Sequence, residues 1–251
     1  MRTLLPLLAC IVAVAAASAC GGEDNGGPAA QPVAGGAYIS VGDSIAAGSG
    51  ASDPARTSFA AIVGSRLNLE LTNLAVAGAT TSDVIDQQLA AARGTTGVRL
   101  ITVSAGGNDL AALIPNATCT QDPLPDTCPL EDALARVEER LLRIVRDLRA
   151  AHPDAAIVLL AYPNFFSNTG HDFEAPAARV LPRFAETVRA VAAASGPRVA
   201  VADASRLFDG RGDELTHVLD EVFDPHPNDA GHEALAGVVA EAYRGLEAAG
   251  G

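Results

Sequence analysis

The fold is decided by residues 37–46, which read AYISVGDSIA. The largely apolar run from Ala37 to Val41 is typical of a short strand that is covered on both faces of a parallel sheet. Gly42, Asp43 and Ser44 follow it directly, and functional side chains of open parallel sheets gather at the carboxyl ends of the strands. The segment therefore predicts a strand whose end presents a serine to a functional site.

The same pattern repeats along the rest of the chain, where short apolar runs alternate with longer segments of helical period. We predict strands at Ala37–Val41, Glu70–Ala75, Arg99–Ser104, Ala156–Ala161 and Arg198–Ala202, each covered on both faces. We predict helices at Ser58–Leu67, Ser82–Ala92, Leu130–Ala150, Pro176–Ala194 and Asp229–Ala248. This alternation predicts an α/β fold: a three-layer α/β/α sandwich around a five-stranded parallel sheet, in one domain spanning residues 37–251.

The amino terminus indicates export. Arg2, an apolar run from Leu4 to Ala17 and the small residues 17–19 are typical of a signal peptide over residues 1–19. The run is too short to span a bilayer, which needs about 20 residues. Residues 20–36 are rich in Gly and predict a flexible tether.

The cysteines refine this picture. Cys119 and Cys128 lie nine positions apart in a loop rich in Pro, Thr and Asp, which suits a local disulfide in an oxidising compartment. Cys20 follows the predicted cleavage site, and residues 17–21, ASACG, resemble a bacterial lipobox, in which this cysteine is acylated. The departure is Ala17, where Leu is usual, and ordinary cleavage at the same bond would leave a free thiol. We expect an exported, membrane-anchored lipoprotein, or otherwise a secreted or periplasmic protein.

The composition excludes some classes of function. The chain has 17 Lys+Arg, all of them Arg, against 30 Asp+Glu, a net charge of -13, and no basic run. Nucleic-acid binding is therefore not expected, because phosphate neutralisation needs clustered cations. His171 and His217 lack metal-ligand spacing, so no metal or cofactor is expected, although Asp224, His226 and His232 form a weak alternative metal site.

Four short strings carry the chemistry. Gly42-Asp43-Ser44 follows the first predicted strand, residues 73–80 (NLAVAGAT) end the second, and residues 106–109 (GGND) follow the third. Residues 223–228 (FDPHPN) stand before the last helix. A Ser, a Gly, an Asn and a His beside an acid thus fall on one rim of the sheet. In order and spacing these strings resemble the GDSL-type esterases of the SGNH hydrolase superfamily, which have a flavodoxin-like fold.

The resemblance implies a role for each string. Ser44 would be the nucleophile and His226 the base that takes its proton, because a free hydroxyl is a weak nucleophile. The backbone N–H groups of Ser44 and Gly78 and the side-chain amide of Asn108 would form the oxyanion hole, which stabilises the charge of the tetrahedral intermediate. From the residues themselves, Asp43 is expected to organise the serine turn and Asp109 to hold its own loop.

The catalytic acid departs from the family's pattern. The family usually places Asp three residues before the catalytic His, and Phe223 occupies that position here. Asp224, two residues before the His, is our prediction for the acid. A literal Asp-x-x-His occurs at Asp229 and His232, but we interpret it as the start of a helix. Glu221 or a backbone carbonyl remain alternatives for orienting the base.

The expected substrate is an acyl ester: a lipid, a lysophospholipid or a small ester. Phe165, Phe166 and Phe173 crowd the loop at residues 162–175 and are predicted to line an acyl pocket. Alternatively, they anchor a long loop to the core. Two other functions stay open: a carbohydrate O-acetyl esterase or acyltransferase using the same site, and a catalytically idle surface-binding lipoprotein. We expect a monomer whose membrane contact is made only through a lipid at Cys20.

Overall fold

The computed structural model describes residues 35–116, 118–119, 121 and 125–250. These residues fall in a single compact unit. The predicted signal peptide, most of the tether and Cys20 lie outside the described residues. No helix among the residues described is both long and apolar enough to cross a membrane.

Five parallel strands form one sheet in the order β2-β1-β3-β4-β5. The strands are β1 (Ala37–Gly42), β2 (Glu70–Asn73), β3 (Val98–Ser104), β4 (Ala156–Ala161) and β5 (Val199–Asp203). This order is the doubly wound, flavodoxin-like arrangement, in which a ligand binds where the winding reverses. The predicted fold is confirmed, and the reversal lies between β1 and β3.

The expectation that all five strands are covered on both faces is wrong at the edges of the sheet. The inner strands β1, β3 and β4 are almost wholly buried, but both ends of β2 are exposed and β5 is mostly half-buried. An edge strand has a neighbour on one side only, so the helices cover it less completely. Sequence alone does not say which strands take the edges.

Helices cover both faces of the sheet. They are α1 (Ser44–Ala47), α2 (Pro54–Thr57), α3 (Phe59–Leu67), α4 (Thr81–Asp83), α5 (Leu89–Arg93), α6 (Gly107–Leu110), α7 (Leu130–Ala151), α8 (Glu174–Ala194), α9 (Gly212–Leu215) and α10 (Asp229–Gly250). Helix α10 packs against α3, β4 and β5, whereas α8 packs against α7, β4 and β5. The buried side chains of α7 lie three or four residues apart, as on one face of an amphipathic helix.

The single helix predicted over Ser82–Ala92 is divided into three. Helix α4 gives way to a π-helical turn at Val84–Gln88, and α5 follows it. π-Helical turns inside helices often occur at functional sites. The side chain of Gln88 at the end of this turn is buried and reaches the end of β1. The interruption therefore positions a polar side chain that an uninterrupted helical period does not anticipate.

The predicted pairing of Cys119 with Cys128 is present in the structure as a disulfide. Both cysteines are buried, and their Cα atoms are 5.0 Å apart. The bridge closes a short loop before α7. Closing a loop of this length stabilises a fold by roughly 3 kcal/mol or less.

Candidate active site

The end of β1 is fixed from two sides. Gly42 has a φ of +142°, and a Cβ there would lie 1.9 Å from the carbonyl oxygen of Ser104 on β3, so glycine is required. The side-chain amide of Gln88 holds the same residue: the Gly42 N–H donates to Oε1 and Nε2 donates to the Gly42 carbonyl, each at 2.8 Å. The strand end that leads into Ser44 is consequently rigid.

Asp43 organises the turn, as the sequence predicts. It caps α1 by accepting the Ile45 N–H at 3.0 Å, and its second carboxylate oxygen accepts the Tyr162 hydroxyl at 2.6 Å. Burial raises the pKa of Asp43 to about 6, although the hydrogen bonds from Tyr162, Ile45 and Ser104 oppose that rise. Asp43 is thus fully engaged beneath the turn, while Ser44 stays partly exposed above it.

Ser44, Asn108 and His226 line one cavity of about 270 Å³. The structure therefore brings together three of the predicted site residues from distant parts of the chain. Phe165, Phe166, Phe173, Tyr162, Leu181, Ile114 and Phe223 supply much of the remaining wall. No direct hydrogen bond joins Ser44 to His226, both of which are among the described residues.

Asp224 holds His226 through two contacts. Its Oδ1 accepts the backbone N–H of His226 at 3.0 Å and also pairs with Nδ1 of the same ring. Burial by itself raises the pKa of Asp224, but the backbone and side-chain hydrogen bonds and the charge of His226 outweigh it and hold the pKa below its usual value. With Nδ1 held by a carboxylate, Nε2 is the ring nitrogen left to exchange a proton. An Asp two residues before the His can therefore contact and orient the histidine ring.

The literal Asp-x-x-His pair does not form. The Asp229 carboxylate accepts the backbone N–H and hydroxyl of Ser52 at 2.8 and 2.6 Å, and the Thr57 hydroxyl at 2.8 Å. The hydrogen bonds from Ser52, followed by that from Thr57, lower the pKa of Asp229 to about 2. Asn228 caps the following helix by accepting the Gly231 N–H at 3.0 Å. Asp229 therefore ties α10 to the loop beyond Ser44.

His232 is buried, and both of its ring nitrogens are occupied. Nδ1 accepts the backbone N–H of Phe59 at 3.2 Å, and Nε2 faces the carbonyl oxygen of Ser49 at 2.9 Å. Burial lowers the pKa of His232. A neutral ring with a proton on Nε2 satisfies both contacts. His232 therefore has a structural role. Glu221, the other alternative acid, is exposed and makes no hydrogen bond within the described part of the chain.

The loop that carries Gly78 is held beside the cavity. Gly78 has a φ of +82°, is exposed and is not among the residues that line the cavity. Its N–H, like that of Ser44, has no acceptor among the described residues. Asn108 donates one amide hydrogen to the carbonyl of Ala79 at 2.9 Å, which leaves its second amide hydrogen free.

Asp109 holds the loop of Gly78 from the other side, rather than only its own loop. Its carboxylate accepts the backbone N–H of Thr81 at 2.8 Å and the Thr81 hydroxyl at 2.6 Å. Arg140 of α7 forms an ion pair with Asp109 at 3.2 Å. Hydrogen bonds thus join the segments that carry two of the three donors expected for an oxyanion hole, Gly78 and Asn108, and the third donor lies at Ser44.

Two residues of the site escaped the sequence analysis. Gln88 gave no signal beyond a polar residue in a helical period. Phe223 stood next to the recognised string, but we considered it only as the place of a missing acid. Its ring stacks on His171, with centroids 4.8 Å apart, and on Phe166 at 6.4 Å, so it forms part of the aromatic wall.

The remaining histidines are engaged elsewhere. His217 pairs with Asp220 at 2.6 Å through Nδ1, and its Nε2 lies 2.9 Å from the Gly50 carbonyl. His171 accepts the backbone N–H of Phe173. Across the residues that the structure describes, no group of three or more His, Cys, Asp or Glu side chains is arranged to hold a metal ion.

Comparison with known proteins decides the family. The family model for GDSL-like lipases and acylhydrolases matches residues 40–234, most of the chain. The chain belongs to the GDSL-like lipase/acylhydrolase family. The predicted resemblance is thereby confirmed, and an ester hydrolase is the class of enzyme that membership supports. No curated protein sequence matches the chain.

Solved structures share the fold. A phospholipase A1 from Streptomyces albidoflavus aligns with a TM-score of 0.65 and 23% identity, over 82% of this chain and 99% of that one. An extracellular lipase from Streptomyces rimosus gives 0.61 and 22%, over 82% and 99%. An acetyl-xylooligosaccharide esterase from Geobacillus gives 0.56 and 18%, over 84% and 94%. Proteins with this fold therefore include enzymes named for lipid and for carbohydrate esters.

Proposed function

We propose that the chain is a serine ester hydrolase that uses Ser44, His226 and Asp224. The observation that supports this most directly is that Ser44, Asn108 and an Asp224-bound His226 meet at one cavity. Ser44 Oγ attacks the ester carbonyl and its proton passes to Nε2 of His226, which then protonates the departing alcohol. Water, deprotonated by the same nitrogen, releases the acid and restores Ser44.

The negative oxygen of each tetrahedral intermediate needs donors that are in place before it forms. The N–H groups of Ser44 and Gly78 and the second amide hydrogen of Asn108 are unpaired within the described part of the chain and serve this purpose. Each such donor contributes roughly 3–4 kcal/mol of transition-state stabilisation.

The acyl group of the substrate is an apolar chain longer than acetyl. Four phenylalanine side chains line the cavity with Ser44, and Phe166 is also buried in the core. A side chain that packs on the core can also line the cavity, so an anchoring role for this loop is compatible with the acyl pocket that we propose. Cavities lined mostly by aromatic and aliphatic groups favour apolar ligands, so lipid esters suit this site better than acetylated sugars.

p-Nitrophenyl esters of graded acyl length test the proposal. We expect turnover to rise from acetyl to longer chains and to be lost in Ser44→Ala. Ser49→Ala is the matched control, because Ser49 contributes only backbone groups to hydrogen bonds. Activity that survives Ser44→Ala would refute the assignment of Ser44 as the nucleophile. A preference for acetyl would favour the carbohydrate esterase, and transfer to an added alcohol in place of hydrolysis would indicate an acyltransferase.

We propose further that residues 1–19 direct export and that Cys20 is acylated, with residues 37–251 as the catalytic domain. The lipobox-like residues 17–21 and the Cys119–Cys128 disulfide support this location. Radiolabelled palmitate should enter the wild-type chain and not Cys20→Ser, which should leave the membrane fraction. An unlabelled wild-type chain outside the membrane fraction would instead indicate ordinary cleavage.

A further inference from the structure

The large apolar side chains that are exposed in the described part of the chain lie on two loops of the site. They are Leu219 (59% exposed), Val222 (81%), Phe223 (48%) and Val76 (49%). Three of them belong to residues 219–223, which lead directly into Asp224 and His226. Val76 stands two residues before Gly78. Exposed apolar side chains that cluster mark an interaction surface, and one of these four, Phe223, lines the cavity. We call residues 219–223 the rim segment.

The rim segment is continuous with the cavity. Phe223 lines the cavity and stacks on His171, yet about half of its surface faces solvent. Leu219 and Val222 line a shallow depression next to it, together with Gly50. Phe223, which lines the cavity with Ser44, is thus followed along the rim segment by two exposed apolar side chains, Val222 and Leu219.

The charges around these side chains indicate the kind of surface that they meet. Asp220 and Glu221 lie between the apolar residues, and Asp224 follows them. His217, the one ionisable cation on the depression, is paired with Asp220. No arginine lines either the cavity or the depression. An anionic surface would be repelled, whereas a neutral or zwitterionic one would not.

We propose that the rim segment inserts Leu219 and Val222 into the surface of a neutral or zwitterionic lipid aggregate and so delivers acyl chains to the cavity. The proposal rests on the lipid-ester function proposed above. Phe223 joins the inserted side chains to the aromatic wall, so a chain drawn out of the aggregate stays in apolar contact as far as Ser44. Burial of apolar surface supplies the free energy of this contact.

Vesicle binding tests the contact without hydrolysis. All proteins are the exported full-length chain with Cys20→Ser, which removes the proposed anchor, and Ser44→Ala, which prevents turnover. We expect flotation with phosphatidylcholine vesicles, and binding about tenfold or more weaker in Leu219→Ser/Val222→Ser, because the two substitutions remove apolar surface that the contact would bury. Leu142→Ser, a half-buried leucine on α7 away from the site, is the matched control and should bind normally. Thermal unfolding checks that each variant is folded.

Three results would overturn the proposal: equal binding by the double variant and the control, stronger binding to phosphatidylglycerol than to phosphatidylcholine vesicles, or a dimer that the double substitution dissociates. In chains that retain Ser44, the double variant should hydrolyse a soluble monomeric ester normally and vesicle lipid about tenfold or more slowly. Failure of the wild type on the soluble ester would refute the hydrolase function and leave the vesicle-binding result standing by itself.

Discussion

Replacing Asp224 by Asn isolates the group that orients the proposed base. The substitution preserves size and an acceptor for the His226 backbone N–H, but it removes the charge that faces Nδ1. Hydrogen bonds to charged groups are worth roughly 1.5–3 kcal/mol. The side chain of Asp224 is 39% exposed, and solvent screening reduces the value toward the lower half of that range. We therefore expect kcat to fall roughly thirtyfold, equivalent to about 2 kcal/mol.

The KM for a p-nitrophenyl ester should change little, because Asp224 does not line the cavity. Asp220→Asn provides a matched control, since Asp220 also pairs with a histidine, His217, outside that cavity. Steady-state kinetics on the wild type and on the Asp224→Asn, Asp220→Asn and Asp229→Asn variants test this prediction. Undiminished kcat in Asp224→Asn would refute the reasoning, and so would loss of activity in Asp229→Asn but not in Asp224→Asn.

Three further substitutions test the roles of Gln88, Gly78 and Asp43. Gln88→Leu should lower the free energy of unfolding in urea by about 1–3 kcal/mol, because it leaves the buried N–H of Gly42 unpaired, whereas the Gly42 carbonyl keeps the Val76 N–H as a donor; an unchanged unfolding midpoint would contradict this role of Gln88. In Gly78→Ala the added Cβ meets no atom within 4 Å, but the residue must keep a φ of +82°, so we expect the free energy of unfolding to fall by about 1 kcal/mol from backbone strain, and an unchanged free energy of unfolding would contradict that strain. Burial raises the pKa of Asp43 to about 6 from 3.8, so the folded state binds the extra proton between these values and stability falls as pH rises through them, by about 3 kcal/mol. Asp43→Asn should flatten that fall in unfolding measured from pH 4 to 7, and an equally steep fall would assign it to other groups.

The sequence was sufficient to predict the strands of the sheet and the edge of the sheet at which the site residues lie. Buried parallel strands read as continuous apolar runs, and β4 was predicted with its observed bounds. The strings at Ser44, Asn108 and His226 lie at carboxyl ends or before the last helix, so the topology alone brings them to one edge. The family resemblance added their proposed roles.

Other features depend on tertiary contacts that leave no periodic signal. The exposure of β2 follows from its place at the edge, which the strand order determines. The π-helical turn that ends at Gln88 brings that side chain to the end of β1, and no local sequence propensity predicts such a turn. The place of Phe223 in the aromatic wall depends on stacking with His171 and Phe166, which lie more than 50 positions earlier in the chain.

The loop after Ser44 is joined to the region around His226 by contacts in which Asp224 takes no part. Gly50 accepts from His217, Ser49 from His232, and Ser52 donates to Asp229. These contacts hold the segment that carries His226, so the contact from Asp224 has only to orient the ring. A carboxylate two positions before the histidine still reaches that ring, and the position three before it is occupied by Phe223, which lines the cavity.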